Sequence, residues 1–148
     1  MSTERTYLTY IEIPKGGGQR QRRHETTPAA YAGHQDNVPA FKHVAYGCLP
    51  DVINPADECE ADVFILGVDA SQIASYVETR IIGIHIRNNG DHKLLAVLPD
   101  AGLNDIHHVN PMVLEEVGAF VDPAQRAGEF WAPAETARRW LQSLEKLK

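Results

Sequence analysis

The period of the hydrophobic pattern changes once along this chain, near Pro99, and that change limits the architectures open to it. Before Pro99 the apolar segments are short, rich in β-branched and aromatic residues, and bounded by glycine, proline or asparagine, as strands are. Residues 6–13 (TYLTYIEI) stop at Pro14 with Glu12 near their end, residues 62–66 (DVFIL) read as a short buried strand, and residues 77–86 as a longer one. Asn89-Gly90 marks a hairpin whose returning strand is 92–98. After Pro99 the spacing becomes helical. Asn110-Pro111 reads as an N-cap followed by proline at the first helical position, opening a helix that runs to Phe120. From Pro133 onward, Ala134, Ala137, Leu141, Leu144 and Lys148 recur at helical spacing, and Trp140 and Leu147 widen the stripe. That pattern predicts a docking helix. Strands first and helices last predict a mainly β (α+β) chain, a barrel with helices added, and exclude alternating βαβ units.

The stretch between the first strand and residue 45 is read more coarsely. Gly16, Gly17 and Gly18 form a turn, residues 19–27 read as a second, exposed strand, and residues 28–39, rich in small residues, as loop. At 148 residues the whole chain, 1–148, is the size of one domain. No apolar run approaches the roughly 20 residues that a membrane span requires, so no membrane partner is expected. The N-terminal MSTERTYLTY has no basic head followed by an apolar stretch, and the expected compartment is the cytoplasm. Cys48 and Cys59 would stay as thiols there. The net charge of −6 argues against nucleic acid as a partner, because a duplex binder needs a basic face. Arg20, Arg22, Arg23 and His24 nevertheless cluster locally, a set better suited to a small anion than to a polymer.

Three carboxylates lie where chemistry is often placed. Asp57 and Asp62 flank a turn that enters a strand, and Asp91 follows the hairpin glycine. A hard cation such as magnesium accepts a few carboxylates from separate loops, keeps several waters, and completes its shell with substrate phosphates. On the residues alone a second account stands beside this one: strand ends are often acidic, and these would then be solvated turn residues.

The run YGCLPDVINPADECEADVFIL resembles the signature of the soluble inorganic pyrophosphatases, a tyrosine-glycine pair, then aspartates patterned D-x-D-x-x-D, then a hydrophobic strand. The resemblance continues in order through TRIIGIHI, GDHKLLAV and DIHHVN, and it begins at YIEIPKG. It implies a five-stranded OB-like β-barrel with flanking C-terminal helices. It also implies hydrolysis of diphosphate to two phosphates, with magnesium, or manganese or another divalent metal, held by Asp57, Asp62 and Asp91. Lys93 would contact a phosphate, Glu12 would be an outer carboxylate of the metal site, and Tyr46 a phenol near the phosphate, with core packing as the competing role. The expected partners are a small phosphorylated substrate and further copies of the chain in a homo-oligomer.

The chain also departs from the pattern. The middle aspartate, to which the family assigns a general-base role, falls on Cys59. Glu58 and Glu60 are adjacent, but neighbours in an extended segment point to different sides, so either could replace it only through a local shift. The hairpin before Asp91 lacks a further aspartate. A tyrosine-lysine pair near the C-terminus falls on Ala124 and Gln125, and a phosphate-binding arginine falls around His34. Arg23 and its neighbours could replace these cations, since a guanidinium grips phosphate bidentately, or could form a solvated strand face. The alternative to an enzyme is therefore a pyrophosphatase-like binding or assembly module.

Overall fold

The computed structural model describes residues 5–13, 43–56, 58–68, 75–87, 90–121 and 130–145. Within them the chain forms six strands: β1 (Thr6–Ile13), β2 (Val44–Asn54), β3 (Cys59–Leu66), β4 (Tyr76–Ile86), β5 (Lys93–Val97) and β6 (Phe130–Pro133). Two helices, α1 (Pro111–Val121) and α2 (Ala134–Glu145), and a 3₁₀ turn (Ile106–His108) complete it. The strand order is β1-β2-β3-β5-β4, and β1 also pairs with β4, so five strands close into a barrel. β6 extends the sheet from β4. The expected five-stranded barrel with C-terminal helices is the observed architecture. Among the described residues no helix is long and apolar enough to cross a membrane.

β4 makes closure possible because its 11 residues serve two partners along one edge. Its first half pairs with β1, from Thr6↔Arg80 to Tyr10↔Tyr76, and its second half pairs with β6, from Gly83↔Pro133 to Ile86↔Phe130. β5 lies along the other edge. The closing seam contains a buried polar pair, Thr9 and Thr79, whose hydroxyl oxygens lie 2.8 Å apart, and the Thr79 hydroxyl also donates to the Tyr7 carbonyl at 3.3 Å. Both hydroxyls are thus partnered, which removes most of the cost of burying them.

Alternation along the strands sorts side chains into two apolar layers. Ala61, Val63 and Ile65 of β3 join Tyr7, Ile11, Leu94 and Ile84 inside the barrel, where α2 adds Ala137, Leu141 and Leu144. The stripe predicted for this last helix is the face it buries, and each fully buried leucine contributes about 1.5–3 kcal/mol. Phe64, with Val44, Tyr46, Ile82 and Leu95, points outward to a second layer covered by Val113 and Val117 of α1. α1 begins as expected, with the Asn110 side-chain oxygen accepting from the Met112 amide at 2.9 Å.

Two strands escape the sequence reading. β2 contains Pro50, which argues against an unbroken strand, and the register with β3 slips there, from Leu49↔Ala61 to Ile53↔Glu60. The proline therefore sits in a bulge, where its missing N–H costs no ladder bond. β6 has only four residues. β3 begins at Cys59, earlier than expected, because its first residues continue the pairing with β2. The expected strand at 19–27, the loop at 28–39 and the stripe residues Leu147 and Lys148 lie outside the described residues.

A buried arginine ties the post-barrel loop down. Arg80, only 7% exposed, donates to the carbonyls of Pro99 (3.0 Å), Ala101 (2.6 Å) and Leu103 (3.2 Å) and to the side-chain oxygen of Asn104 (3.1 Å). Next along the chain, Asp105 accepts from the Ile106 amide at 2.7 Å and from the Ala134 amide, the first of α2, at 3.0 Å. It caps α2 from a distance of 29 residues along the chain. Burial pushes its carboxyl pKa up, but the Ala134 and Ile106 amides, with His107 and Arg138, outweigh this and hold it below the ordinary 3.8.

Two outcomes follow from this packing. A Cβ on Gly47 would lie 1.8 Å from the Tyr10 carbonyl oxygen, a backbone atom, so Gly47→Ala is expected to destabilise by about 3 kcal/mol or more in denaturant melts. Asp105→Ala is expected to cost about 1–2 kcal/mol at pH 7. Because the folded pKa is depressed, the native carboxylate's contribution is present above 3.8 and is lost as the pH falls through the lower folded value. The gap between parent and variant in urea melts should therefore narrow below that pH, and a gap independent of pH would show that the charge contributes nothing.

Candidate functional site

One line of paired residues runs across the barrel wall: Tyr10↔Cys48, Cys48↔Asp62, Asp62↔Lys93, Lys93↔His85 and His85↔Trp131. Directly opposed residues project from the same face of a sheet. This face is the outer one, since the neighbouring Leu49, Val63, Leu94 and Ile84 fill the interior. Residues two positions away along β2 and β3 share it, which adds Tyr46 and Glu60; Glu12 lies in the irregularity between Ile11 and Ile13, where its charge acts on the Cys48 thiol. The parallel pairing of β3 with β5 is decisive, because it sets Asp62 opposite Lys93.

The Lys93 ammonium donates to Asp62 Oδ2 and, at 3.2 Å, to Asp91 Oδ2. Arg87 Nη1 lies 3.8 Å from the same Asp91 oxygen. Two of the three expected metal carboxylates are thus brought together around one cationic group, and Lys93, expected on a phosphate, sits between them. The mutual repulsion that converging carboxylates would suffer is relieved by this ammonium.

A second acidic group surrounds Cys48. The Cys48 thiol donates to Glu60 Oε1 at 3.6 Å, and burial, then the charges of Glu12, Glu60 and Asp62, push its pKa far up. The thiol therefore stays protonated and acts as a weak donor. Glu12, expected as an outer carboxylate, is 6% exposed. Tyr46 is 7% exposed, and its ring packs 5.0 Å, centroid to centroid, from that of Phe64. Its core role is thus visible in the packing. Asp57 and Arg23 lie outside the described residues.

Glu60 is the site-facing carboxylate that the sequence reading set aside. Glu58 adopts φ 59, a left-handed conformation rare for a residue with a side chain, and within β3 Glu60 stands in phase with Asp62. Cys59 is exposed and three residues from Asp62, out of phase with it. The i, i+2 spacing of Glu60 and Asp62 is the signal that finds this residue.

The turn that follows β2 and the turn that carries Asp91 are joined by Asn54, whose side chain spans from one to the other. Its Nδ2 donates to the Gly90 carbonyl at 3.1 Å, and its Oδ1 accepts from the Ala56 amide at 3.0 Å. Beside Asp91, His92 accepts from the Arg87 amide through Nδ1 at 2.9 Å and meets Trp140 of α2 edge-on. Burial, against the pull of Asp91, keeps His92 below its ordinary pKa of 6.5, which favours the neutral ring that this acceptor role requires.

Among the described residues no three histidine, cysteine, aspartate or glutamate side chains converge to hold a metal. Asp62 and Asp91 do converge, and their oxygens are the donor type a hard cation accepts. The donor chemistry present therefore fits magnesium or manganese, with Lys93 standing where positive charge is required.

No protein-family profile matches the sequence, and no curated protein does. Solved structures do. An inorganic pyrophosphatase from Thermus thermophilus superposes with a TM-score of 0.74 at 20% identity, covering 97% of this chain and 91% of that one. One from Helicobacter pylori gives 0.67 at 20%, covering 96% and 92%. The Trypanosoma cruzi vacuolar soluble pyrophosphatase, truncated at its N-terminal domain and in complex with PPi, gives 0.69 at 15%, covering 99% and 70%. At these identities the likeness is one of fold, and the fold of this chain is that of the soluble inorganic pyrophosphatases.

Proposed function

We propose that this protein hydrolyses diphosphate, or a closely related small phosphoanhydride, with the help of a divalent cation. The observation that carries this reading is the convergence of Asp62, from β3, and Asp91, from the turn before β5, on Lys93 at the outer wall of a pyrophosphatase barrel. Asp57, Asp62 and Asp91 would hold magnesium or manganese, with Glu12 at the margin. The cation, when bound, would supply charge neutralisation at the phosphates and a more acidic water. Lys93, drawn from its carboxylates, would contact a phosphate oxygen, and Arg23 would add a second cation. Tyr46 would wall the phosphate side of the face. Water adds to phosphorus, the bridging P–O bond breaks, and two phosphates leave; Glu60 is the carboxylate on this face suited to accept the proton of that water. We further propose, from the N-terminal composition and the length, a cytoplasmic protein of one domain, and from the resemblance a homo-oligomer.

One observation favours a second reading, a binding or assembly module. The position where the family has its general base is the exposed Cys59. Losing a preorganised charged group at such a centre costs about 10²- to 10³-fold in rate, enough to silence a weak enzyme.

Phosphate release from diphosphate, tripolyphosphate and nucleotides, measured with magnesium, manganese, zinc or no metal, separates the two. Metal-dependent release from diphosphate is expected. Asp62→Asn should abolish it, and Glu60→Gln should lower it about 10²-fold, within the range of a positioned general base. Cys59→Asp, which restores a carboxylate where the family has its general base, should raise the rate at least severalfold. A parent that binds magnesium and releases no phosphate from any of these substrates would give the module reading precedence.

A further inference from the structure

We infer that Asn54 is a positioning residue that sets the spacing of the two acidic turns and, through it, the cation affinity of the proposed site. This rests on the metal-site reading above, and the experiment below separates the two. Asn54 is the last residue of β2, 2% exposed, and all three of its turn contacts are directed. Its Oδ1 accepts from Ala56 N at 3.0 Å and its main-chain carbonyl from Glu58 N at 2.8 Å, which shapes the chain on both sides of position 57, ahead of β3. Its Nδ2 donates to the Gly90 carbonyl at 3.1 Å, one residue before Asp91.

The two turns also touch. Gly90 has φ +83, and a Cβ built there would lie 3.1 Å from the Ala56 Cβ. The turns therefore meet at near-contact distance, with the Asn54 amide as the polar tie between them. The side-chain chemistry is restrictive. The tie needs one donor and one acceptor on a stem short enough to stay within the strand end, which asparagine supplies; aspartate has no donor for a carbonyl, and serine retains a local acceptor but lacks the reach to Gly90. Asn54 carries no charge and supplies no carboxylate, so its influence on a cation acts only through the placement of others.

Partners that orient metal ligands typically cost about 10- to 100-fold in affinity when removed. Asn54→Ser is expected to weaken magnesium binding by about tenfold in calorimetry. Val52→Ala, which deletes buried methyl groups two residues earlier on the same strand, should lower the melting temperature while leaving the magnesium affinity unchanged. Gly90→Ala, which presses the turns apart, should weaken magnesium as Asn54→Ser does, and it serves if that variant does not fold. A readout without metal completes the test. Hydrogen exchange at the Glu58 and Gly90 amides should accelerate together in Asn54→Ser, since both turns lose one restraint, and should stay slow in Val52→Ala. Unchanged magnesium affinity in the folded variants, or exchange that accelerates at Glu58 alone, overturns the inference. A parent that binds no magnesium overturns the metal-site reading instead, and the paired exchange then decides whether Asn54 couples the turns.

Discussion

Closure of the barrel through β1 and β4 is the constraint on which the rest depends. An open five-stranded sheet could slip in register, and a slip of one residue would turn every side chain to the opposite face. With β1 bonded to both β2 and β4, each strand's register is set from both sides. Asp62 can then face Lys93 across a parallel pair while Val63 and Leu94, next to them, fill the interior. The polar line and the apolar core are two faces of one pairing. Gly47 illustrates how tightly the closure is drawn, because β1 passes where any side chain would stand.

Loops outside the barrel are held by groups that composition would assign to the surface. Arg80 spends its guanidinium on three carbonyls and an asparagine oxygen, which together satisfy much of a buried cation's demand for acceptors. Asp105 then fixes the start of α2, and α2 in turn presents Trp140 to His92, next to Asp91. A continuous set of contacts thus leads from the closing strand through the C-terminal helix back to the acidic turn. The barrel and its helices position the site jointly.

Much of this was legible in the residues. The alternation in TYLTYIEI and the longer run ending at Ile86 specify strands, and the spacing of Ala134, Ala137, Leu141 and Leu144 specifies the face of α2. β2 was hidden by Pro50, because a proline's effect depends on whether its ladder position is in use, which is a property of the partner strand. Arg80 was hidden because burial of a charge depends on carbonyls brought from later in the chain. Asp62, Asp91 and Lys93 were found through resemblance to a family, and the structure gathers them. Glu60 shares the face of Asp62, two residues on, a relation that alternation along β3 makes legible. Asp57 and Arg23 rest on the sequence, since the described residues do not include them.

The placement of Lys93 carries a consequence for how the acidic face is held. Chains whose acidic centres are held together only by a bound ion fold when the ion is supplied and come apart when it is withdrawn. Here the counter-charge is covalently part of the chain, on the strand that faces Asp62. One positive charge of the chain therefore already stands between Asp62 and Asp91 in the folded state, so their mutual repulsion is eased without a bound ion. The same strand pairing that closes the barrel thus also supplies the counter-charge for its acidic face.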